Sequence, residues 1–192
     1  MTAHALAAVE DPIPAPDPIA QLIAQGALRE AVAACAVTHG RIVGRLCIAL
    51  LGSQADADEA TQETLLRAHR AMPTYRGEGT VKSWLCGIAR HVCAHTLETR
   101  RKGKELLELV PSAADAGEAH DAFQVRRRAR VLRAALAGLK PSEREALVLR
   151  FVADLSHREI AISLHLDEAT ARKRISRALA RLRTILPDSE TL

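Results

Sequence analysis

Two helix starts, Ser156 and Asp167, stand so close together that only a short helix and a tight turn fit between them. Ser156 precedes an apolar-periodic run and Glu159 follows three residues later, the reciprocal cap that satisfies the first free N–H groups of a helix. That helix ends near Leu164, His165 and Leu166 make the turn, and Asp167 can cap a longer helix running to about Leu186. Along the longer helix Ala171, Ile175, Ala178 and Leu182 fall at helical spacing and form a packed face. Arg172, Lys173, Arg174, Arg177 and Arg181 project from its other faces. A short helix, a sharp turn and a basic second helix suit insertion into a DNA major groove. A solvated amphipathic helix is the plainer alternative, and the compact spacing with its basic bias favours DNA.

The rest of the chain points to helices as well. Its apolar residues are almost all Ala, Leu, Val and Ile, aromatics make up 2% of 192 residues, and no stretch alternates with period two. The expectation is an all-α protein of two small modules, each near the lower limit for a self-sufficient core. The longest uninterrupted apolar run, 46–51, falls far short of a membrane span, and no basic segment followed by an apolar core marks an export signal. We therefore expect a cytoplasmic protein, without membrane insertion, whose four cysteines are reduced thiols.

An overall charge of +4 conceals a segmental pattern: 41–102 and 122–192 are net basic, while 1–40 and 103–121 are net acidic. Two basic blocks around an acidic connector suggest two nucleic-acid-facing modules on a tether. Residues 1–18, with four prolines, read as a disordered extension. Helix is expected from Ile19 to Leu51 with a break at His39–Gly40, from Asp56 to Met72, and from Val81 to Arg101. The module boundaries are then 19–102 and 121–187, joined by a flexible linker at 103–120. In the second module, helices are expected over Asp121–Ala137 and from Ser142 to about Val152.

Three motifs of the first module follow in order: ADADEATQETLLRAH from Ala55 to His69, then Tyr75-Arg76-Gly77, then VKSWLCGIARHV from Val81 to Val92. This order resembles region 2 of extracytoplasmic-function (ECF, group IV) sigma factors of bacterial RNA polymerase, whose pattern is approximately A-E-D-x-x-Q-E, F-x-G and W-L-x-x-I-A-R. Residues 139–183 resemble region 4 of the same family, and the two matches cover about two-thirds of the chain. The resemblance implies a region 2 helical bundle and a region 4 helix-turn-helix. It implies as partners core RNA polymerase, promoter DNA and an anti-sigma factor, with no small-molecule substrate and no cofactor. The residues themselves show no glycine-rich phosphate loop, nucleophile elbow or paired carboxylates, so no catalysis is expected.

Residue by residue, the resemblance assigns Glu59, Gln62 and Glu63 to the polymerase clamp helices, and their spacing places them on one helix face. Tyr75, Arg76 and His91 become candidates for capturing a flipped base of the −10 element, with Lys82, Arg90, Arg100 and Arg101 on its phosphates. Thr170, Arg172, Lys173 and Arg174 would read the −35 groove, and Arg177 and Arg181 its backbone. The stretch Leu147–Val152 would meet the polymerase flap. Trp84 reads as a packing residue bracing its helix against the polymerase-binding one, with base stacking as the sharper option.

Departures from the family pattern are His91 for Asn, His95 for Asp, Glu98 for Arg, and His165 for the glycine of the helix-turn-helix turn. His165 is tolerable at positive φ but costs more than glycine there. Cys86, His91, Cys93 and His95 lie within ten residues, yet Cys86 and Cys93 sit among apolar positions, so we read them as structural thiols and assign no metal. Two other readings stay open at this point: a conventional helix-turn-helix regulator that binds duplex DNA alone, and a metal- or thiol-responsive sensor.

Overall fold

The computed structural model describes residues 17–106, 131, 132 and 134–186, and every regular element among them is helical. Asp17 accepts a hydrogen bond from the Ile19 N–H and Pro18 takes the first helical position, where its missing N–H costs nothing, so α1 spans Pro18–Ala24. Gly26, at φ +76°, turns the chain into α2, Leu28–Leu51. The expected break at Gly40 is absent, and the interruption falls instead at 25–27. A mid-helix glycine costs about 1 kcal/mol against alanine. That is too little to interrupt a helix that buries Ala31, Cys35, Val43, Leu46 and Cys47.

Gly52 ends α2 in the left-handed conformation and Ser53 caps α3, Gln54–Ala71, so this helix begins two residues before the expected Asp56. Pro73 sits inside a 3-10 turn, Met72–Thr74, which carries the fully buried Met72 side chain inward. Then α4 runs Val81–Leu106, past its expected end at Arg101 and into the segment read as linker. Residues 107–120, the expected N-terminal extension up to residue 16, and most of the helix expected from Asp121 lie outside the described residues.

The second module is built by caps. Pro141 opens α5, Pro141–Phe151, and Glu143 accepts from the Lys140 N–H at 3.4 Å. Around α6, His157–Leu164, the Ser156 hydroxyl and the Glu159 carboxylate cap reciprocally, with N–H bonds of 3.2 and 2.8 Å. His165 closes α6 at φ 52°, ψ 51°, the left-handed geometry that its position requires. Asp167 then accepts from the Thr170 N–H at 2.7 Å and starts α7, Glu168–Ile185.

Helices α2, α3 and α4 form a bundle crossed by α1, with Val43, Leu46, Met72, Val81 and Leu85 at its centre. Helices α5, α6 and α7 enclose Leu149, Leu155, Ile160, Ala171, Ile175 and Ala178. Unlike two beads on a tether, the modules touch: α4 lies against α6 and α2 against α5, and their buried residues form one apolar cluster. Cores this small gain by covering each other.

By length and mean hydropathy (1.4), α2 is the one described helix that could cross a membrane, which counting uninterrupted apolar runs does not reveal. One face of it is covered, with Ala31, Cys35, Val43, Leu46, Cys47 and Leu50 buried in the bundle with α1, α3 and α4, while Val37 is exposed.

Candidate nucleic-acid interface

On α3 the interior takes Ala57, Ala60, Thr64 and Ala68, which turns Glu59, Gln62 and Glu63 outward as one stripe. Glu59 and Gln62 are exposed, while Glu63 accepts from Arg67 at 2.6 Å. That bond from Arg67 holds the Glu63 carboxyl below its ordinary range. Leu66 continues the stripe at the seventh position and leaves 54% of its surface in solvent, an apolar anchor beside three polar residues. Leu66 is not among the residues that the sequence motifs single out. Only the stripe's phase shows which way it points.

The loop 75–80 and the first half of α4 line a cleft of about 290 Å³. The Tyr75 hydroxyl donates to the Gly79 carbonyl at 2.7 Å and closes the loop, while its ring meets Trp84 at 5.1 Å between centroids, tilted by 55°. Trp84 therefore packs on the cleft's own tyrosine. Arg76 is well exposed, 3.8 Å from Glu78.

The remaining basic candidates on α4 are engaged. Lys82 donates to the Asp154 carbonyl at 3.1 Å, Arg90 to Glu145 at 3.3 Å and to the Ser163 carbonyl at 3.4 Å, and Arg100 pairs with Asp56 on α3. Arg101 is exposed. His91 lines the cleft with its Nε2 2.7 Å from an Arg90 nitrogen. Partial burial lowers its pKa first, and the charges of Arg90, His165 and Arg67 lower it further. The far wall of the cleft, Ile162, Ser163 and His165, belongs to the second module and has no signal in the periodicity of the chain.

Along α7, Thr170, Lys173, Arg174 and Arg177 share a polar concavity with Lys140 and Ser142 at the start of α5. Those last two were not singled out in the sequence, because their place beside α7 depends on how α5 packs. The Thr170 hydroxyl donates to Asp167 at 2.6 Å, so it serves the cap and can only accept from a ligand. Arg172 leans on Glu168 at 2.6 Å along the exposed side. Arg181 departs from the group: it donates to Glu143 at 3.1 Å, a carboxylate whose side chain is 10% exposed, and so ties α7 to α5.

All four cysteines are free and buried. Burial pushes the thiols of Cys35 and Cys86 up to about 11 and about 12. Cys47 and Cys93 share a thiol hydrogen bond that lowers the first and raises the second. Raised in this way, the Cys35 and Cys86 thiols are poor nucleophiles. Among the described residues no three His, Cys, Asp or Glu side chains converge to hold a metal. In the stretch Leu147–Val152, Leu147, Val148 and Leu149 are buried, and Phe151, 62% exposed, is the large apolar side chain that faces out.

Comparison with known proteins decides the family. Residues 36–103 match the family described as Sigma-70 region 2, and 129–182 match Sigma-70, region 4. The chain is 32% identical over 137 residues to the ECF RNA polymerase sigma factor SigC of Mycobacterium tuberculosis, covering 68% of this chain and 70% of that protein. The chain belongs to the ECF RNA polymerase sigma factors.

Other sigma relatives are SigM of M. tuberculosis, 31% identical over 153 residues (77% of this chain, 73% of that protein), and SigE of Mycolicibacterium smegmatis, 35% identical over 153 residues. The SigE match spans 77% of this chain and 58% of the longer SigE. Against SigG of M. tuberculosis the chain likewise spans 45% of the relative's length. Two solved structures share the fold. CnrH in complex with the cytosolic domain of CnrY gives a TM-score of 0.67 at 20% identity, covering 88% of this chain and 97% of CnrH. RpoE in complex with the anti-sigma factor NepR, from Bartonella quintana, gives 0.65 at 20% identity, covering 81% and 96%.

Proposed function

We propose that this sigma factor binds core RNA polymerase and directs promoter-specific initiation, reading a −10 element with its first module (19–102) and a −35 element with its second (121–187). The observation that carries this is the pairing, on one chain, of the closed aromatic loop and helix of Tyr75 and Trp84 in region 2 with a capped basic helix in region 4. The stripe Glu59, Gln62, Glu63 and Leu66 offers carboxylates, an amide and one apolar anchor, the chemistry that meets a basic, partly apolar helix.

The cleft is near the lower end of ligand-sized cavities, roughly 300–1,000 Å³, and suits one extruded base. Tyr75 and Trp84 supply aromatic walls there, and His91 supplies a donor or acceptor. Lys82, Arg90, Arg100 and Arg101 would serve the phosphates once freed from their present partners.

On α7, Arg172, Lys173 and Arg174 lie early enough to enter the groove. Arg177, with Lys140 and Ser142, would hold backbone phosphates. Phe151 is the surface we assign to the polymerase flap. The factor acts in the cytoplasm as a binding protein, without catalysis or cofactor, and an anti-sigma factor restrains it. RpoE of Bartonella quintana, which shares the fold, was solved in complex with the anti-sigma factor NepR, which supports this last assignment.

The test is run-off transcription from a genomic fragment library with purified core polymerase, with and without the chain. Discrete starts that need both components are expected. Specific duplex binding by the chain alone, with no new starts, would overturn the reading in favour of a conventional regulator.

A further inference from the structure

The outward side of α7 is not uniformly basic. Ala169, Arg172, Lys173 and Ser176 stand at i, i+3, i+4 and i+7, on the side turned away from the buried Ala171, Ile175 and Ala178. All four are exposed, and together they line a shallow slot of about 340 Å³ whose walls are mostly carbon. Ala180 continues the same line one turn further on and is exposed as well. Polar groups beside the slot are diverted from it. Glu168 holds the Arg172 guanidinium at 2.6 Å, so the slot meets the methylene stem of Arg172 rather than its charge. The Thr170 hydroxyl is committed to Asp167, and Arg174 and Arg177 line the separate concavity beside Lys140 and Ser142.

We infer that this slot is a specificity determinant for thymine: it takes the C5-methyl group of one thymine in the duplex that α7 reads, with the Ala169 methyl as its floor. This rests on the sigma reading and deepens it, by naming a base feature that α7 selects. Of the bases in the major groove, thymine alone projects a carbon group; the others present N–H donors or N and O acceptors there. A carbon-lined slot leaves those polar edges without a partner, whereas a methyl group exchanges water for carbon. Ala169 lies in the first turn of α7, the part of a recognition helix that meets base edges. Small side chains at 169, 176 and 180 let the helix sit deep enough for a Cβ to reach a base. Lys173, on the other wall, can donate to the thymine O4.

Removing the methyl group alone tests this. Holoenzyme assembled from core polymerase and the full chain selects duplexes from a library randomised across the −35 region. Each thymine of the selected element is then replaced singly by deoxyuridine, which lacks only the methyl, and holoenzyme binding is followed by fluorescence anisotropy. One thymine is expected whose replacement weakens binding about fourfold, the worth of one buried carbon group. In Ala169→Gly holoenzyme the same replacement should cost less than about twofold, because the methyl has lost its floor. Ala169 is exposed, so this substitution leaves the packed face of α7 untouched.

A selected element without thymine, or one in which every deoxyuridine is tolerated, would overturn the slot while leaving the sigma reading intact. An undiminished penalty in Ala169→Gly would show that the methyl is read elsewhere, and would overturn the assignment equally. Holoenzyme that selects no sequence at all would count instead against the sigma reading on which the slot depends. Ala169→Leu gives a check in the opposite sense. Its larger side chain fills the slot, so a repeated selection should lose thymine at that one position and keep the rest of the element. Thymine retained there would contradict the inference.

Discussion

Arg181 offers the sharpest test of how the second module divides its arginines. Read from spacing it is a phosphate ligand, yet in the structure it holds Glu143 at 3.1 Å and binds α7 to α5. Hydrogen bonds to charged groups contribute roughly 1.5–3 kcal/mol when sheltered, and exposed ion pairs about 0–1. With Arg181 43% exposed and Glu143 10%, Arg181→Ala falls between, at about 1–2 kcal/mol. Much of that loss comes from leaving a buried carboxylate with, among the described residues, the Lys140 N–H as its remaining hydrogen-bond partner.

For a chain of this length each kcal/mol moves Tm by roughly 2–4 °C, so a fall of about 2–8 °C is expected. The salt dependence of duplex binding should stay unchanged, because no phosphate contact has been removed. Arg177→Ala should do the reverse, leaving Tm in place and lowering the slope of log K against log salt by about 0.9. Differential scanning fluorimetry and fluorescence anisotropy at four salt concentrations measure both quantities. A lowered slope with an unmoved Tm in Arg181→Ala would refute the argument and return Arg181 to the DNA.

Acidification gives a second prediction. The depressed pKa of His91, set first by burial and then by Arg90, His165 and Arg67, means that the folded state binds fewer protons than the unfolded. His39 is depressed too, again chiefly by burial. Their contribution to stability is complete above the ordinary value of 6.5 and is lost as pH falls through and below it, so Tm should decline from about pH 7.5 to about pH 5.5. A flat profile, or His91→Asn leaving it unchanged, would contradict this for His91. Gly79→Ala places a Cβ 2.8 Å from the Ser83 hydroxyl and should disturb the loop that Tyr75 closes, lowering single-strand binding by the holoenzyme more than it lowers Tm. Leu66→Ala removes a 54% exposed side chain, so it should leave stability within about 0.5 kcal/mol while weakening binding to core polymerase in surface plasmon resonance.

Local chemistry was legible from the residues alone. Ser156 with Glu159, Asp167 with the N–H three residues on, and the left-handed His165 each depend on neighbours within a turn, and all formed where the spacing put them. The phase of α7 was readable for the same reason: a buried Ala171, Ile175 and Ala178 dictates where the arginines point. Gly40 misled because its cost is local and small, whereas the burial that overrides it is tertiary.

Sequence by itself, then, determined the helical class, the caps, the basic face and the family, since these rest on composition, short-range hydrogen bonds and ordered motifs. Only the tertiary structure decided which arginine braces and which stays available, that Leu66 faces out, and that Ile162, Ser163 and His165 complete the cleft from the other module. Arg90 meets Glu145 55 positions further along the chain, and Ser83 meets Ser163 80 positions further along. No periodicity encodes such pairings, because they depend on how two small cores, each short of buried surface, come to share one.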